Sequence, residues 1–378
     1  MRFDPSRSVG LARLADFAPR SGTLYRDGRN YDLSSARSVV SQLSPWLRHR
    51  VIGEWEVLAA VTSRLPATET IPYLQEIFWR GYFKGFLEQH PSIWQRYLSD
   101  LAQAREALPA EYTQAISGRT GIACFDHWSR ELAETGYLHN HARMWFASIW
   151  IFTLRLPWHL GAAHFLDRLV DADPASNTLS WRWVAGLHTK GKHYLATFDN
   201  IARFTDGRFD PKGQLNETAA PLTESVDHAF VPLAPRDMAA PRGALRLITE
   251  EDCHLDGFAG ACGAVGVVSP DATDFAKGAV SACAAQYGGA TLVGHDWSGA
   301  IMAAAQRLGT RAVVTMAPPV GFVRDGLDAA RPALDRHGVT LIEMRRPYDD
   351  LVWPHASKGF FKVKKQIPDL LAALLPRV

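Results

Sequence analysis

Acidic, amide and aromatic side chains are concentrated between residues 169 and 183. The run contains two carboxylates, one amide and two indoles, namely Asp171, Asp173, Asn177, Trp181 and Trp183. A planar ligand with a polar edge needs both kinds of group, because aromatic faces stack on a ring while acids and amides hydrogen-bond its edge. The run therefore predicts a binding site for a ring system.

A second polar cluster, at residues 137–144, precedes this run. Asn140, Arg143 and Met144 would lie on one side of a helix, because residues three and four apart are neighbours on a helix surface. We therefore expect the two clusters to contribute to one site.

Residues 68–90 predict a long amphipathic helix in which Glu76, Trp79 and Arg80 share a face with Phe83. An acid on the apolar side of a helix is costly unless it lines a cavity or has a partner. The helix therefore predicts a polar pocket. The alternative is that Trp79 fills the core and that Glu76 pairs with a nearby arginine or lysine.

Ser41, Leu43 and Ser44 precede Pro45 and a helical run, which is typical of a helix N-cap. The free N–H groups of a helix N-terminus attract phosphate. This segment is therefore either a phosphate site or a plain capped helix.

The order of elements predicts an all-α domain followed by a small α/β domain. Helical patterns fill residues 36 to about 205 and no strand interrupts them. The proposed boundaries are a helical domain at 1–215, a Pro-rich linker at 216–243 and a Rossmann-like domain with a parallel sheet at 244–378. The last domain has five short runs rich in β-branched residues, at 244–249, 264–269, 290–294, 311–315 and 340–344.

Composition is that of a soluble globular protein. The 378 residues are 47% hydrophobic and 21% charged, with a net charge of +2 that does not indicate nucleic-acid binding by the whole surface. No apolar run is long enough to span a membrane and no secretory signal is evident, so we expect a cytoplasmic protein without membrane contact. Four scattered cysteines predict neither a disulfide framework nor a metal site.

The polar clusters resemble the FAD-binding half of the photolyase/cryptochrome family. The resemblance is carried by Thr120-Gly121, His139-Asn140-x-x-Arg143-Met144 and Asp171-x-Asp173-x-x-x-Asn177-x-x-x-Trp181-x-Trp183, in the family's order and with its gaps. The His-Asn-x-x-Arg-Met version is similar to the cyclobutane-dimer photolyases rather than the (6-4) enzymes. The resemblance implies a flavoprotein with a helical FAD-binding domain.

The resemblance also implies a role for each candidate residue. The diphosphate of FAD would lie beside Tyr25, Ser41, Leu43 and Ser44. Its ring and ribityl chain would contact Arg80, Asn140, Arg143, Asp171, Asp173 and Asn177, with Asn177 hydrogen-bonding ring N5. The substrate pocket would contain Glu76, Trp79, Met144 and Trp183. For photoreduction, Trp181 and Trp158 match the first two of three tryptophans, and the third position is occupied by Arg105.

The family normally carries its α/β domain before the helical one, whereas residues 244–378 come after it. We interpret this order as a circular permutation of a shortened domain, for which an antenna chromophore is doubtful. The expected activity is that of a deoxyribodipyrimidine photolyase, a lyase that repairs UV-damaged DNA after the dimer flips into its pocket.

Two alternatives remain open. A cryptochrome-like blue-light receptor would need a signalling partner instead of DNA, and it is favoured by Tyr137 and His141, which replace a tryptophan and an arginine of the family. The second is an α/β-hydrolase activity at Asp296, because residues 293–299 resemble a nucleophile elbow with His337 or His355 as the base.

Overall fold

The computed structural model describes residues 3–33, 37–236 and 239–375. The chain forms two compact units, and each combines separate stretches of sequence. The first comprises Met1–Ser21, Ser41–His90 and Phe230–Val378, and the second comprises Gly22–Val40 and Pro91–Ala229. We call them the sheet unit and the helical unit.

The sheet unit contains helices from both ends of the chain and all the strands of the described residues. Its helices are α1 Arg7–Phe17, α3 Ser44–Arg48, α4 Glu54–Thr62, α5 Ala67–Gln89, α13 Asp274–Gln286, α14 Trp297–Leu308, α15 Phe322–Arg336, α16 Pro347–Val352 and α17 Phe361–Leu374. Its strands are β1 Leu245–Ile248, β2 Cys262–Val268, β3 Ala290–Val293, β4 Ala312–Met316 and β5 Thr340–Met344.

The helical unit has helices and turns only within the described residues. Its helices are α2 Thr23–Gly28, α6 Ser92–Glu106, α7 Ala110–Ile116, α8 Ala123–Thr135, α9 Asn140–Ser148, α10 Trp158–Arg168, α11 Pro174–Ala185 and α12 Phe198–Phe204.

The five strands are parallel in the order β3-β2-β1-β4-β5, which confirms the predicted Rossmann-like sheet. Alternate residues of the strands face opposite sides. Leu247 and Val265 pack with α14 and α15 in one core. Gly266, between Val265 and Val267, faces α13, where an added Cβ would lie 2.8 Å from Val280. Helices therefore cover both faces of the sheet.

A buried ion network joins α3, α4 and α5 to the sheet. Arg50 is its centre, since its guanidinium donates to both oxygens of Asp349 at 2.6 and 2.7 Å and to Glu54 at 3.1 Å. Its backbone has φ 46°, a conformation that is uncommon outside glycine. The remaining pairs are Arg50–Asp252, Arg346–Asp252, Arg48–Glu251 and Lys84–Glu251.

Helix α5 is packed along its length by residues that follow the sheet. Tyr348 stacks on Phe78 with 6.0 Å between ring centroids, and Gln89 donates to the carbonyl of Trp353 at 2.9 Å. Gly85 permits this close approach, because an added Cβ would lie 2.9 Å from the Trp353 backbone. The linker proposed at 216–243 therefore does not separate the two units, because residues 41–90 pack with the α/β elements.

In the helical unit, the predicted helix from Asn140 to Leu156 is interrupted. Helix α9 ends at Ser148 and a π-helical turn, Ile149–Thr153, follows it. Trp150 lies in this turn and donates its indole N–H to the carbonyl of Pro157 at 3.0 Å. The wider turn therefore places an indole against the start of α10.

Among the described residues, no helix combines the length and apolar character that a membrane crossing requires. The same part of the chain contains no group of three or more histidine, cysteine or acidic side chains arranged to hold a metal ion.

Candidate functional site

The candidate residues fall into two groups, one in each unit. The helical unit contains the larger group, which is Tyr25, Asn140, Arg143, Met144, Trp158, Asp171, Asp173, Asn177, Trp181 and Trp183. The sheet unit contains Ser41, Leu43, Ser44, Glu76, Trp79 and Arg80.

Three contacts hold the side chain of Arg143 on α9. Its Nε donates to the carbonyl of Leu138 at 3.0 Å, and its guanidinium lies over the ring of Tyr137 at 5.4 Å. Its Nη2 donates to Oδ2 of Asp171 at 3.0 Å. These contacts fix the direction of a half-buried cation on the same helix as exposed Asn140 and half-buried Met144.

Asp171 lies in the short loop between α10 and α11. The loop is held because the N–H of Val170 donates to the carbonyl of Gly136 at 2.9 Å. Only 2% of the Asp171 side chain is exposed, compared with 23% for Arg143. A buried carboxylate is stable only with a partner, and Arg143 supplies a charge-assisted hydrogen bond.

Asp173 and Asn177 are positioned by α11 itself. Asp173 is the N-cap of the helix and accepts from the N–H of Ser176 at 3.0 Å, with Pro174 at the first helical position. Asn177 donates its side-chain amide to the carbonyl of Ala162 in α10 at 2.9 Å. Local structure alone accounts for these two contacts, so ligand roles for both residues remain predictions.

Helix α11 also carries polar atoms that lack a protein partner. Ser176 Oγ, Thr178 Oγ1 and the indole nitrogen of Trp181 are buried, and none has a hydrogen bond within the described residues. Buried polar groups are nearly always hydrogen-bonded, so each of these atoms favours a water or a ligand as its partner. Successive residues of a helix differ by about 100°, so these side chains point to different sides of α11.

The two predicted electron-transfer tryptophans have different ring neighbours. Trp181 is 2% exposed and meets Phe165 and Trp150 edge-on, with centroids 5.2 and 6.2 Å apart. Trp158 instead packs against Tyr97, with centroids 5.6 Å apart. Trp158 also lines a cavity of about 340 Å³ with polar and apolar walls, whose other lining residues are Arg96, Tyr97, Asp100, His159, Arg182, Leu187 and residues 222–226.

Gly161 provides the space that Trp181 occupies. A Cβ added at Gly161 would overlap the ring of Trp181 and would lie 2.9 Å from Trp150. We therefore expect Gly161→Ala to lower the free energy of unfolding by about 1–3 kcal/mol, because overpacking forces side chains out of their rotamers. Urea unfolding checks this, with Gly294→Ala as the control because its nearest neighbour is at an ordinary 3.5 Å. Equal stability of the two variants would show that Trp181 can move at no cost.

The remaining aromatic candidates of this unit are also placed by packing. Trp183 stacks on Tyr194 with centroids 5.8 Å apart and planes at 23°. Tyr25 is buried in α2, with Arg29 over its ring at 6.0 Å. His141, which replaces an arginine of the resembled pattern, stacks on Trp145 at 4.1 Å.

In the sheet unit, the predicted N-cap arrangement differs from the structure. Helix α3 begins at Ser44, its N-cap is Leu43, and no side chain caps it. Ser41 lies outside the helix, where its hydroxyl accepts from the N–H of Leu43 at 3.4 Å. Gln42, between Ser41 and Leu43, has φ 52°. The chain therefore turns before α3, and Ser41 lies away from a capping position.

Glu76, Trp79 and Arg80 lie on α5 and are half-buried, so the predicted helix is confirmed. The Trp79 indole stacks on Phe360, with ring centroids 3.8 Å apart and planes at 14°. Phe360 also meets the fully buried Tyr82 edge-on at 5.6 Å. One face of Trp79 is therefore covered, and a ligand can stack only on the other face unless Phe360 moves.

Asp296, the proposed nucleophile of the hydrolase interpretation, caps a helix. Asp296 is the N-cap of α14, where its carboxylate accepts from the N–H of Gly299 and the hydroxyl of Ser298, both at 2.9 Å. These hydrogen bonds lower its pKa. A nucleophile needs a base within hydrogen-bond reach.

Within the described residues, neither proposed base is hydrogen-bonded to Asp296. His337 precedes β5, at the amino ends of the strands, whereas Asp296 follows the carboxyl end of β3. His355 follows β5, which lies at the opposite edge of the sheet from β3.

Two aromatic residues of interest were not identified from the sequence. Phe360 covers Trp79, and half-buried Tyr112 contacts Trp150 edge-on with centroids 5.9 Å apart. The basic and aromatic run at 358–365 was a usable signal for Phe360. Nothing local marks Tyr112, because its contact depends on the π-helical turn.

Comparison with known proteins supports the FAD-binding resemblance. Residues 73–244 match the family model described as the FAD binding domain of DNA photolyase. A deoxyribodipyrimidine photo-lyase of Agrobacterium fabrum is 28% identical over 250 residues, covering 64% of this chain and 50% of the relative. A cryptochrome DASH of Gloeobacter violaceus is 30% identical over 222 residues, covering 56% of this chain and 43% of the relative.

Among solved structures, a bacterial class III photolyase from Agrobacterium tumefaciens aligns with a TM-score of 0.46 and 27% identity. The alignment covers 55% of this chain and 44% of that one. The chain thus spans about half the length, or less, of the relatives it matches.

Proposed function

Residues 73–244 belong to the photolyase/cryptochrome family as its FAD-binding domain, and from this premise we propose that the chain is a light-dependent repair flavoprotein. Its reaction would be the splitting of cyclobutane pyrimidine dimers in UV-damaged DNA. The observation that carries the proposal is the Arg143–Asp171 pair in the matched segment, whose carboxylate is buried and whose guanidinium is half-buried. A hydrogen-bonded charge pair of this kind fits the polar edge of a flavin ring.

The chain's own residues would hold the cofactor through charge and hydrogen bonds. Arg143 and Asp171 would fix the ring edge, with the same assignment proposed for Arg80, Asn140, Asp173 and Asn177. The diphosphate would contact Tyr25, Ser41, Leu43 and Ser44. When bound, photoexcited reduced FAD supplies the electron that no amino-acid side chain can deliver to a neutral cyclobutane ring.

Glu76 and Trp79 would receive the substrate. The Glu76 carboxyl group would hydrogen-bond the polar edge of the flipped pyrimidines, and the Trp79 indole would stack on them. The substrate role is also proposed for Met144 and Trp183. Trp181 and Trp158 are proposed to carry electrons to the flavin, and Trp150 provides a further indole in ring contact with Trp181.

A comparison of two glutamates on α5 tests the repair proposal. Reduced, FAD-loaded protein is illuminated with an oligonucleotide that contains a dimer, and restored thymines are measured by chromatography. We expect Glu76→Ala to lower the repair yield about tenfold or more, because a hydrogen bond to a charged group is worth about 1.5–3 kcal/mol. Glu69→Ala, an exposed residue in the first turn of the same helix, should repair normally.

The second candidate function is a cryptochrome-like blue-light receptor. It is favoured by Phe360, which covers one face of the indole that a repair enzyme would use for its substrate. FAD photoreduction without repair by the unaltered chain would support the receptor and refute the lyase. Colourless protein that cannot be loaded with FAD would refute both.

A further inference from the structure

The segment from Lys358 to Lys365 combines positive charge with an exposed aromatic ring. Its four lysines, 358, 362, 364 and 365, are all exposed, and residues 356–368 contain no acid. The chain as a whole is nearly balanced at +2. The charge of this segment is therefore local. We call the segment, which consists of residues 358–360 and the start of α17, the basic loop.

Phe361, at the centre of the basic loop, is 76% exposed. A phenylalanine in this state forgoes the burial that would stabilise it by about 1.5–3 kcal/mol. The Nζ of Lys364 lies 6.0 Å from the centroid of its ring. An exposed aromatic face bordered by cations is suited to a planar group attached to an anionic backbone.

Helix stability does not explain the lysines. Lys362 and Lys364 lie in the first turn of α17, which contains no acid. Cations at this end oppose the helix dipole and cost about 0.3–1 kcal/mol each when exposed. The arrangement therefore favours an external anion.

The basic loop contains Phe360, which contacts the proposed substrate residue Trp79. Phe360 stacks on Trp79 at 3.8 Å and meets Tyr82 at 5.6 Å, so α5 fixes the start of α17. Phe361 and the lysines follow directly along the chain. A strand whose flipped bases reach Trp79 would therefore pass close to the basic loop.

We propose that the basic loop binds the DNA strand beside the lesion, with lysines 358, 362, 364 and 365 on its phosphates and Phe361 stacked on one unpaired base. This inference rests on the proposed repair function and assigns a DNA contact to the α/β elements that follow the FAD-binding segment. The affinity from lysine–phosphate contacts falls with rising salt concentration, whereas stacking by Phe361 does not depend on it in this way. The two contributions can therefore be measured separately.

Fluorescence anisotropy with a labelled single-stranded oligonucleotide containing one dimer tests the proposal. We expect Lys362→Gln/Lys364→Gln/Lys365→Gln to weaken binding at least tenfold. The slope of log affinity against log salt should become shallower by roughly 2, at about 0.7 for each lost contact to single-stranded DNA. Phe361→Ala should weaken binding about tenfold with an unchanged slope, because stacking is worth about 1–3 kcal/mol per base.

The matched control removes three charges elsewhere on the sheet unit. Arg307→Gln/Arg311→Gln/Arg336→Gln alters exposed residues near the amino ends of β4 and β5, and it should bind as the unaltered chain does. Equal losses in both triple variants would reduce the effect to bulk charge and overturn the proposal. Binding to phosphatidylglycerol vesicles in preference to the oligonucleotide would also overturn it.

The DNA contact of the basic loop and the repair function can be refuted independently. If the lysine variant binds DNA normally while the unaltered chain repairs dimers, the basic loop has no role and the proposed function stands. If the lysine and phenylalanine effects on binding appear but the unaltered, FAD-loaded chain repairs nothing under light, the DNA contact stands and the lyase proposal is refuted.

Discussion

Asp171→Asn is expected to yield folded protein that has lost most of its FAD. The substitution removes the buried negative charge that Arg143 contacts at 3.0 Å and keeps the shape of the side chain. Without Asp171 the Arg143 guanidinium is no longer held in place, and a hydrogen bond from a charged group to a ligand is worth about 1.5–3 kcal/mol. FAD affinity should therefore fall at least about tenfold.

The flavin-to-protein absorbance ratio after purification measures this loss. A thermal melt with and without added FAD provides a second readout, because a ligand that binds only the native state raises the melting temperature. The unaltered chain should gain stability from FAD, and Asp171→Asn should gain little at the same concentration.

Glu224→Gln is the matched control for Asp171→Asn. It weakens another pair of the helical unit, in which Arg182 is buried and donates to both oxygens of Glu224. Its stability should fall while its FAD content is retained. Full FAD occupancy in Asp171→Asn would show that the flavin does not lie beside the Arg143–Asp171 pair.

Asp349→Ala is expected to have the largest effect on stability. It leaves Arg50 facing only Glu54 and Asp252 in a buried network. Breaking a buried ion pair by removing one partner costs about 3–5 kcal/mol, because the remaining charge is left poorly compensated. The free energy of unfolding, from urea titration, should fall by about this amount.

The neighbouring residue provides the control for this prediction. Asp350 pairs with Arg345 at 3.1 Å, and 39% of its side chain is exposed. Asp350→Ala should therefore cost about 1 kcal/mol or less, the usual value for an exposed pair. Similar losses in the two variants would mean that the network around Arg50 contributes no special stability.

The carboxylates of this network differ in pKa because their cations are distributed unequally. Burial alone would raise the pKa of Asp252, but Arg346 and Arg50 together hold it below its ordinary value. Burial raises the pKa of Asp349; the contact with Arg50 lowers that pKa, but the negative charge of Glu54 opposes this effect. Of the two acids, Asp349 therefore has the negative charge that nearby cations balance less completely.

Elements with a strong local pattern could be predicted from the sequence. The β-branched runs predicted the five parallel strands, and the apolar spacing of residues 68–90 predicted α5. The spacing of Asn140, Arg143 and Met144 similarly predicted one helix, α9. These patterns depend on neighbours within a few residues, so one sequence contains the whole signal.

Contacts between distant segments could not be predicted in this way. The association of α5 with Trp353 and Tyr348 joins residues more than two hundred and fifty positions apart, as the hydrogen bond from Gln89 to Trp353 shows. The stack of Phe360 on Trp79 depends on the same long-range packing. For Asp296 the local motif was ambiguous, because an aspartate between a strand and a helix also suits a helix N-cap, which is the contact that the structure shows.

The buried network around Arg50 has a consequence for any attempt to isolate the FAD-binding segment. Ending the chain at the Pro-rich stretch near residue 243 would remove Glu251, Asp252 and Asp349, and it would expose the apolar side of α5 to water. Arg48 and Lys84 would then lose their acceptor Glu251, and Arg50 would keep only Glu54. The segment that carries Glu76 and Trp79 therefore needs residues 244–378 for its own stability.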